Sequence, residues 1–330
     1  MPLKNTLTDI PGIEVGHAQD EEALTGCTVI LCRKGAVAGV DQRGGAPGTR
    51  ETDLLKPVNL VEKIHAIVLA GGSAFGLDAA CGVMRYLEEQ KIGFDTGVAR
   101  VPIVPAAILF DLALGRADCR PDAEMGYRAA AAASPAAFPE GNIGAGSGAS
   151  VGKIFGMSQA MKSGLGTASL EIGNGVLVAA LMVVNAFGDV IDPANGQIIA
   201  GARATQIGPF HLGAPGPFAD TLQVMKTLPG RTIMKLATRS NTVIGVVATN
   251  ARLTKSEATR LAQMAQDGLA RAIRPAHTML DGDTLFALST GNKSADLSTL
   301  GAFAAEVVSQ AILRAVKTAV SAGGLPGLAG

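Results

Sequence analysis

The last third of the chain alternates between two hydrophobic periods, and this constrains the fold more than any other feature. Val243 to Thr249 is an apolar run of strand length. Thr254 and Glu257 then supply the Thr-x-x-Glu pattern of a capping box. They open a helix through Leu261, Ala265 and Leu269 that stops before Pro275. Asp283 to Ser289 reads as a second strand, with Leu285 and Ala287 alternating. Leu297 to Val320 reads as a long helix with Leu300, Phe303, Ala304, Val307, Val308, Ala311 and Ile312 on one face. Gly323-Gly324 ends it. Strand, helix, strand, helix predicts sheets covered by helices.

The N-terminal part carries related signals. Thr28 to Cys32 and Ala66 to Ala70 read as strands, and Val176 to Val184 as a fully buried one. Gly71-Gly72-Ser73 leads into a helix from about Ala74 to Gln90, with Phe75, Ala79, Val83 and Leu87 as its stripe. Ile103 to Leu112 is apolar but contains Pro105, so it fits either element type. Ala129 to Ala137 reads as a helix end. Gly196 to Leu228 reads as a loop-rich separator, marked by Gly208-Pro209 and Gly213 to Pro217. The 42 glycines, the absence of tryptophan and an aromatic content of 4% imply a core of small residues in which backbones approach closely. With 48% hydrophobic and only 17% charged residues, the chain buries a large core and leaves surface for another subunit to cover.

Other function classes find little support. The 28 basic and 28 acidic side chains cancel, which argues against a nucleic-acid or membrane-surface partner. The N-terminal residues lack a signal-peptide segment, and no run reads as a membrane span, so the expected location is cytoplasmic. Cys27, Cys32, Cys81 and Cys119 show no CxxC spacing and read as buried, reduced thiols. His17, His65, His211 and His277 are scattered, so no metal site is expected. Gly144 to Lys153 looks like a phosphate loop, but Ser147 falls where the first glycine belongs and Ile154 follows the lysine. Gly71-Gly72-Ser73-Ala74-Phe75 fails as a nucleophile elbow because its last residue is not glycine.

Two short stretches remain. Asn241-Thr242-Val243-Ile244 opens one strand, and His277 to Thr284 opens the other. Taken alone, Thr242 is an ordinary strand residue and Asp281-Gly282-Asp283 an ordinary turn. Lys153 reads as solvated, and Asn185 as a residue that ends a strand. In combination, Asn241-Thr242 with the following Val-Ile-Gly-Val-Val-Ala-Thr-Asn, and His277 through Phe286, resemble the self-cleaving DmpA-type aminopeptidases (L-aminopeptidase/D-esterase and β-peptidyl aminopeptidases). They are closer still to the nylon-oligomer hydrolases of that superfamily, which use threonine where the aminopeptidases use serine. Arg43 to Asp53, Ala70 to Ala79 and Gly144 to Lys153 are similar to stretches of the same family, so the resemblance covers nearly the whole chain.

The resemblance implies an α+β fold, an αββα layered sandwich of the DmpA/ornithine acetyltransferase type with N-terminal-nucleophile character. It implies one domain over residues 1–330, processed between Asn241 and Thr242 into fragments 1–241 and 242–330. It also implies a homo-oligomer, a tetramer of processed units, acting without cofactor or metal on a small peptide or amide-oligomer substrate. Thr242 is the implied nucleophile, and Lys153 and Asn185 line the site. The Asn185 amide is expected to donate to the oxyanion, an interaction typically worth about 3–4 kcal/mol. Asp281 and Asp283, if both lie on a strand, share a face and orient the new ammonium. The aminopeptidases have Ser and Glu near these positions, which puts a strict aminopeptidase preference in doubt. Lys162 ranks below Lys153 as a site lysine, and Tyr127 is a candidate substrate-side hydroxyl. Two alternatives stay open: an acyltransferase like the ornithine acetyltransferases, or an uncleaved, non-catalytic binding or scaffold protein.

The residue types suit the chemistry. A threonine hydroxyl needs a base at neutral pH. Attack of Thr242 on the Asn241 carbonyl gives an ester that water opens, freeing an α-amine with a pKa of about 8. That amine lies beside its own hydroxyl and serves as general base with almost no positioning cost.

Overall fold

The computed structural model describes residues 3–207, 210–212, 216–230 and 241–330. The expected loop residues Gly208, Pro209 and 213–215 therefore lie outside the described residues, as does the 231–240 segment before Asn241. The architecture rests on nine strands: β1 (Glu14–Asp20), β2 (Thr25–Gln42), β3 (Thr49–Arg50), β4 (Ile64–Ala70), β5 (Ala106–Ile108), β6 (Leu165–Glu171), β7 (Leu177–Asn185), β8 (Thr242–Ala251) and β9 (Thr284–Lys293). The helices that cover them are α1 (Ala79–Glu89), α2 (Ala123–Ala131), α3 (Lys255–Ala272) and α4 (Leu297–Lys317).

The long strand β2 belongs to two sheets. Residues 25–31 pair with β1, and Cys27 to Leu31 pair also with β4, while Val37 to Gln42 pair with β9. The strand order is β6-β7-β8-β9-β2-β4-β5-β3, with β1 also on β2. β8 and β9 run parallel, and β7 and β8 antiparallel.

Period-two alternation explains the layers. Val178, Ala180, Met182 and Val184 of β7, Val243 and Val247 of β8, and Leu285 and Ala287 of β9 pack against Leu261, Leu269, Val307 and Ile312 of α3 and α4. Their neighbours Leu181, Val183, Ile244, Val246, Phe286 and Leu288 face inward and meet Ile30, Ile67 and Leu69 of the other sheet. Val29, Leu31, Ala66 and Val68 face the opposite way, onto Val83, Leu87, Met125 and Ala129 of α1 and α2. This is the expected αββα sandwich. Small residues serve it as anticipated. A Cβ at Gly82 of α1 would fall 1.6 Å from the Ala123 carbonyl at the start of α2, and one at Gly268 of α3 only 2.1 Å from the Ala305 carbonyl of α4.

The Thr254–Glu257 capping box is present, with both reciprocal hydrogen bonds. Several sequence expectations need correction. Ser73–Asp78 is a 3-10 helix, and α1 begins only at Ala79, so Phe75 leaves the stripe and is 60% exposed. Phe303 lies at the edge of the apolar face of α4 and is partly exposed. Only Ala106–Ile108 of the ambiguous Ile103 to Leu112 run forms a strand. The Gly196 to Leu228 region carries short strands Ile198–Ala200, Thr205–Ile207 and Phe210–Leu212 and a helix Thr221–Lys226 rather than loop alone. Cys27 and Cys32 are buried, but Cys81 is exposed and Cys119 half-buried, all as free thiols. Contrary to expectation, α4 is long and apolar enough to cross a membrane by length and composition. Its apolar face is spent on the sheet and on α3.

Candidate active site

The site forms where the inner faces of β7 and β8 reach their ends. Thr242 is the first residue of β8 and stands directly opposite Asn185, the last of β7. Alternation puts both side chains on the inner face, in series with Ile244 and Val183. Thr242 is 4% exposed, and its hydroxyl hydrogen-bonds the carbonyl oxygen of Asn241. The Asn241 carbonyl also accepts the Gly282 N–H at 3.1 Å. The Asn241 side chain is 3% exposed, and among the described residues neither of its amide atoms has a hydrogen-bond partner. A buried polar group left unpaired costs about 1–3 kcal/mol.

Lys153 reaches Asn185 from the loop after the short strand Ser150–Val151. Its Nζ donates to Asn185 Oδ1 at 2.6 Å and to Asn185 O at 3.1 Å. Burial away from water lowers the Lys153 pKa from 10.5 to about 7, against the pull of Asp281 and Asp111 in the other direction. Asn185 Oδ1 also accepts the Ser150 N–H at 3.1 Å, and its Nδ2 donates to the Phe110 carbonyl at 2.9 Å. Asn185 is thus an anchored hub linking Lys153, Ser150 and Phe110. The amide expected at the oxyanion points one of its N–H bonds at a backbone carbonyl.

The two aspartates do not lie together on a strand, so the condition for a shared strand face is not met. β9 begins at Thr284, so Asp281 and Asp283 lie in the turn before it and make different contacts. Asp283 Oδ1 accepts the Val243 N–H at 2.8 Å, and its Oδ2 accepts the His277 N–H at 3.0 Å and pairs with His277 Nδ1 at 2.9 Å. Asp281 Oδ2 accepts the Thr278 N–H at 2.9 Å and its hydroxyl at 2.5 Å. Asp281 is 2% exposed, and burial, together with the nearby Asp283 charge, raises its pKa to about 6. Asp281 and Asn241 are joined by a parallel bridge, so this turn is tied to the peptide preceding Thr242.

Lys162 is fully buried, and its Nζ donates to the carbonyls of Gly146, Ala149 and Ser163 at 3.2, 2.9 and 2.5 Å. It pins the Gly144 to Lys153 loop from beneath. Tyr127 sits on α2 in the opposite outer layer, with its hydroxyl on Glu89.

Sequence reasoning gave no role to several residues that build this site. Arg43, Gly45 and Ala46 donate their N–H groups to Asp283 O, Thr278 O and Asp281 O, clasping the turn from outside. A Cβ at Gly44 would come within 2.2 Å of Asp281 O, which explains a glycine there. Asp111, buried beneath the site, accepts the Gly72 N–H and the Thr25 hydroxyl. Desolvation raises its pKa. The glycine-rich stretches Arg43 to Asp53 and Ala70 to Ala79 carried the signal for these supports, because closely approaching backbones require glycine.

Comparison with known proteins follows the same outline. The chain is 45% identical over 98% of its length to an uncharacterized aminopeptidase of Mycobacterium bovis, covering 96% of that protein. It is 34% identical over 94% of its length to a 6-aminohexanoate-oligomer endohydrolase of Kocuria sp., covering 85% of it. Among solved structures, the L-aminopeptidase D-Ala-esterase/amidase of Ochrobactrum anthropi, described as a variant of the Ntn hydrolase fold, superposes with a TM-score of 0.70 at 20% identity. That match covers 98% of this chain and 88% of the other. A Burkholderia sp. beta-aminopeptidase gives 0.67 at 24% identity, covering 98% and 90%. These likenesses carry the fold. The family model for peptidase family S58 matches residues 5–329, and the chain belongs to that family of amide-bond hydrolases.

Proposed function

We propose that the chain is an autoprocessing N-terminal-nucleophile amide hydrolase that cuts itself between Asn241 and Thr242. The observation that carries this reading is the Thr242 hydroxyl lying against the Asn241 carbonyl, within a buried setting that holds Lys153, Asn185, Asp281 and Asp283. Before the cut, Lys153, with its pKa near 7, supplies a neutral amine at physiological pH to draw the proton from the threonine hydroxyl. After the cut, the Thr242 α-amine takes over as base. Asp283, bonded to the Val243 N–H, fixes the peptide next to the nucleophile. Asn185 holds Lys153 in place.

The substrates are amides of short peptides, amino-acid amides or ω-amino-acid oligomers, the classes suggested by the aminopeptidase and 6-aminohexanoate-oligomer endohydrolase relatives. The working form is a cytoplasmic homo-oligomer, a tetramer of processed units, each made of residues 1–241 and 242–330 in one domain. Intact mass and N-terminal sequencing of the purified chain, beside Thr242→Ala, test this. The expected wild-type result is two fragments of roughly 24 and 9 kDa from the 33.4 kDa chain, the smaller beginning Thr-Val-Ile-Gly. The variant stays whole. A wild-type chain that stays whole through prolonged incubation removes the basis for the nucleophile assignment.

A further inference from the structure

We propose that Asp111 is the counter-charge of this site, a positioning residue that sets the charge state of Lys153 without touching the reacting atoms. This rests on the self-cleavage reading above, in which Lys153 is the base. Asp111 is 4% exposed and lies just after β5. Its Oδ1 accepts the Gly72 N–H at 2.7 Å, and its Oδ2 accepts the Thr25 hydroxyl at 2.8 Å. Both partners donate, which suits an ionised carboxylate, since that group can only accept. Among the described residues no hydrogen bond joins the Asp111 side chain to Thr242 or Asn241, so its influence reaches the nucleophile through Lys153.

Asp111 is built into both supports of that lysine. A Cβ at Gly71 would lie 2.0 Å from Asp111 Oδ2, and one at Gly148 would lie 2.7 Å from the same oxygen. Glycine at these two positions leaves the carboxylate its space. Gly148 belongs to the loop that ends in Lys153, and Lys162 grips that loop on either side of it, at the Gly146 and Ala149 carbonyls. The carbonyl of Phe110, the residue before Asp111, holds Asn185 Nδ2 at 2.9 Å, and Asn185 Oδ1 takes Lys153 Nζ at 2.6 Å. One short segment thus fixes the amide that holds Lys153 and abuts the loop that carries it.

Among the described residues, Asp281 and Asp111 favour the charged form of Lys153, and Lys162 opposes it. Asp281 comes from the turn before β9, where Asp283 acts on it and is itself paired with His277. Asp281 also spends one oxygen on the N–H and hydroxyl of Thr278. Asp111 attracts Lys162 as well as Lys153, so one carboxylate serves two buried amines. Burial without a negative neighbour drives a lysine toward its neutral, weakly basic form. When Lys153 takes the Thr242 hydroxyl proton, the positive charge on Nζ forms in the field of Asp111. That charge is discharged when the proton passes on to the departing Thr242 amine.

Asp111→Asn keeps the size and an acceptor oxygen and removes the charge. Self-cleavage of this chain and of wild type is followed by intact mass across pH. The rising limb, centred at about pH 7 in wild type, is expected to move down by about one unit, the low end of what one opposite charge imposes. The plateau above it is expected to fall by no more than about tenfold, because a base ten times weaker is at most about ten times slower. A limb that stays in place while the rate falls at every pH means that Asp111 only packs, and it overturns the proposal while self-cleavage stands. If Asp111→Asn does not fold, Asp111→Asn/Lys162→Met, which removes one charge of each sign, is read against Lys162→Met, with the same downward shift expected. NMR titration of the Lys153 side-chain carbons in the uncut Thr242→Ala chain, with and without Asp111→Asn, reads that shift with no cleavage at all. A wild-type chain that never cuts overturns the self-cleavage reading, whereas an unmoved Lys153 midpoint in the uncut chain overturns the counter-charge by itself.

Discussion

Lys153 and Lys162 are nine residues apart, both buried, and both lowered by desolvation to a pKa of about 7, yet their surroundings assign them different work. Lys162 donates to three backbone carbonyls, Gly146 and Ala149 of the loop it supports and its own neighbour Ser163. Those partners are fixed by the fold, and none belongs to a side chain that could exchange a proton. Lys153 donates instead to Asn185, a side chain as well as a carbonyl, and Asn185 faces the nucleophile across the β7–β8 pair. A perturbed pKa marks burial in both places. Only the partners distinguish a structural cation from a reactive one.

The largest expected effect separates the two lysines. Lys153→Met is expected to slow self-cleavage by about 10²–10⁴-fold, the range for a lost acid–base group. Lys162→Met is expected to keep most of the wild-type rate in its folded fraction but to lose about 3 kcal/mol or more, because three buried carbonyls lose their donor. Cleavage kinetics beside urea denaturation reads both. If Lys162→Met abolishes cutting in fully folded protein, the contrast fails.

Next in size is Gly282→Ala, which keeps the N–H but crowds Thr242 Oγ1 and Ala46 O. Overpacking of about 1–3 kcal/mol is expected there. It reads as self-cleavage slowed by about 10- to 100-fold, and wild-type kinetics would show that the turn yields freely.

A smaller effect, about tenfold, is expected when the pH rises from 6 to 8, as Lys153 loses its proton and cleavage accelerates through about pH 7. Lys153→Met should flatten that limb. Stability has its own signs. Both lysines have folded pKa values below 10.5, so the unfolded chain binds more protons between about pH 7 and 10 and stability rises with pH there. Asp281 acts oppositely: its folded pKa of about 6 lies above the ordinary 3.8, so its contribution is full below about pH 4 and is lost as pH rises through 6. Thermal melts of the uncut Thr242→Ala chain across pH, with and without Lys153→Met, resolve these slopes.

The smallest expected change is Asn241→Ala in the Thr242→Ala background. The amide it removes has no partner among the described residues, so a stability change within about 1 kcal/mol is expected in denaturant titration. A loss of several kcal/mol would mean that the side chain is bonded after all.

The legible parts of the fold were those governed by local pattern. The capping box at Thr254, the strand that becomes β8 and the helix that becomes α4 follow from period and end signals within one segment. The 3-10 turn before α1 and the exposure of Phe75 were not legible, because Gly72 and Ser73 both adopt positive φ and set the helix start from outside the periodic run. The site divides the same way. Thr242, Lys153, Asn185 and the Asp281–Asp283 turn were found through motif resemblance, and the structure brings them together. The different partners of the two aspartates were not legible, since they depend on where β9 begins.

The sequence by itself determined the element types, the layering implied by alternating residues, and the residue kinds able to carry amide chemistry, because these depend on neighbours a few positions away. The tertiary structure decided which of two similar lysines meets Asn185, which peptide N–H faces the Asn241 carbonyl, and why Gly44 and Gly282 must be glycine. Those outcomes depend on segments more than 30 residues apart packing at van der Waals distance, and a linear pattern does not encode such approaches.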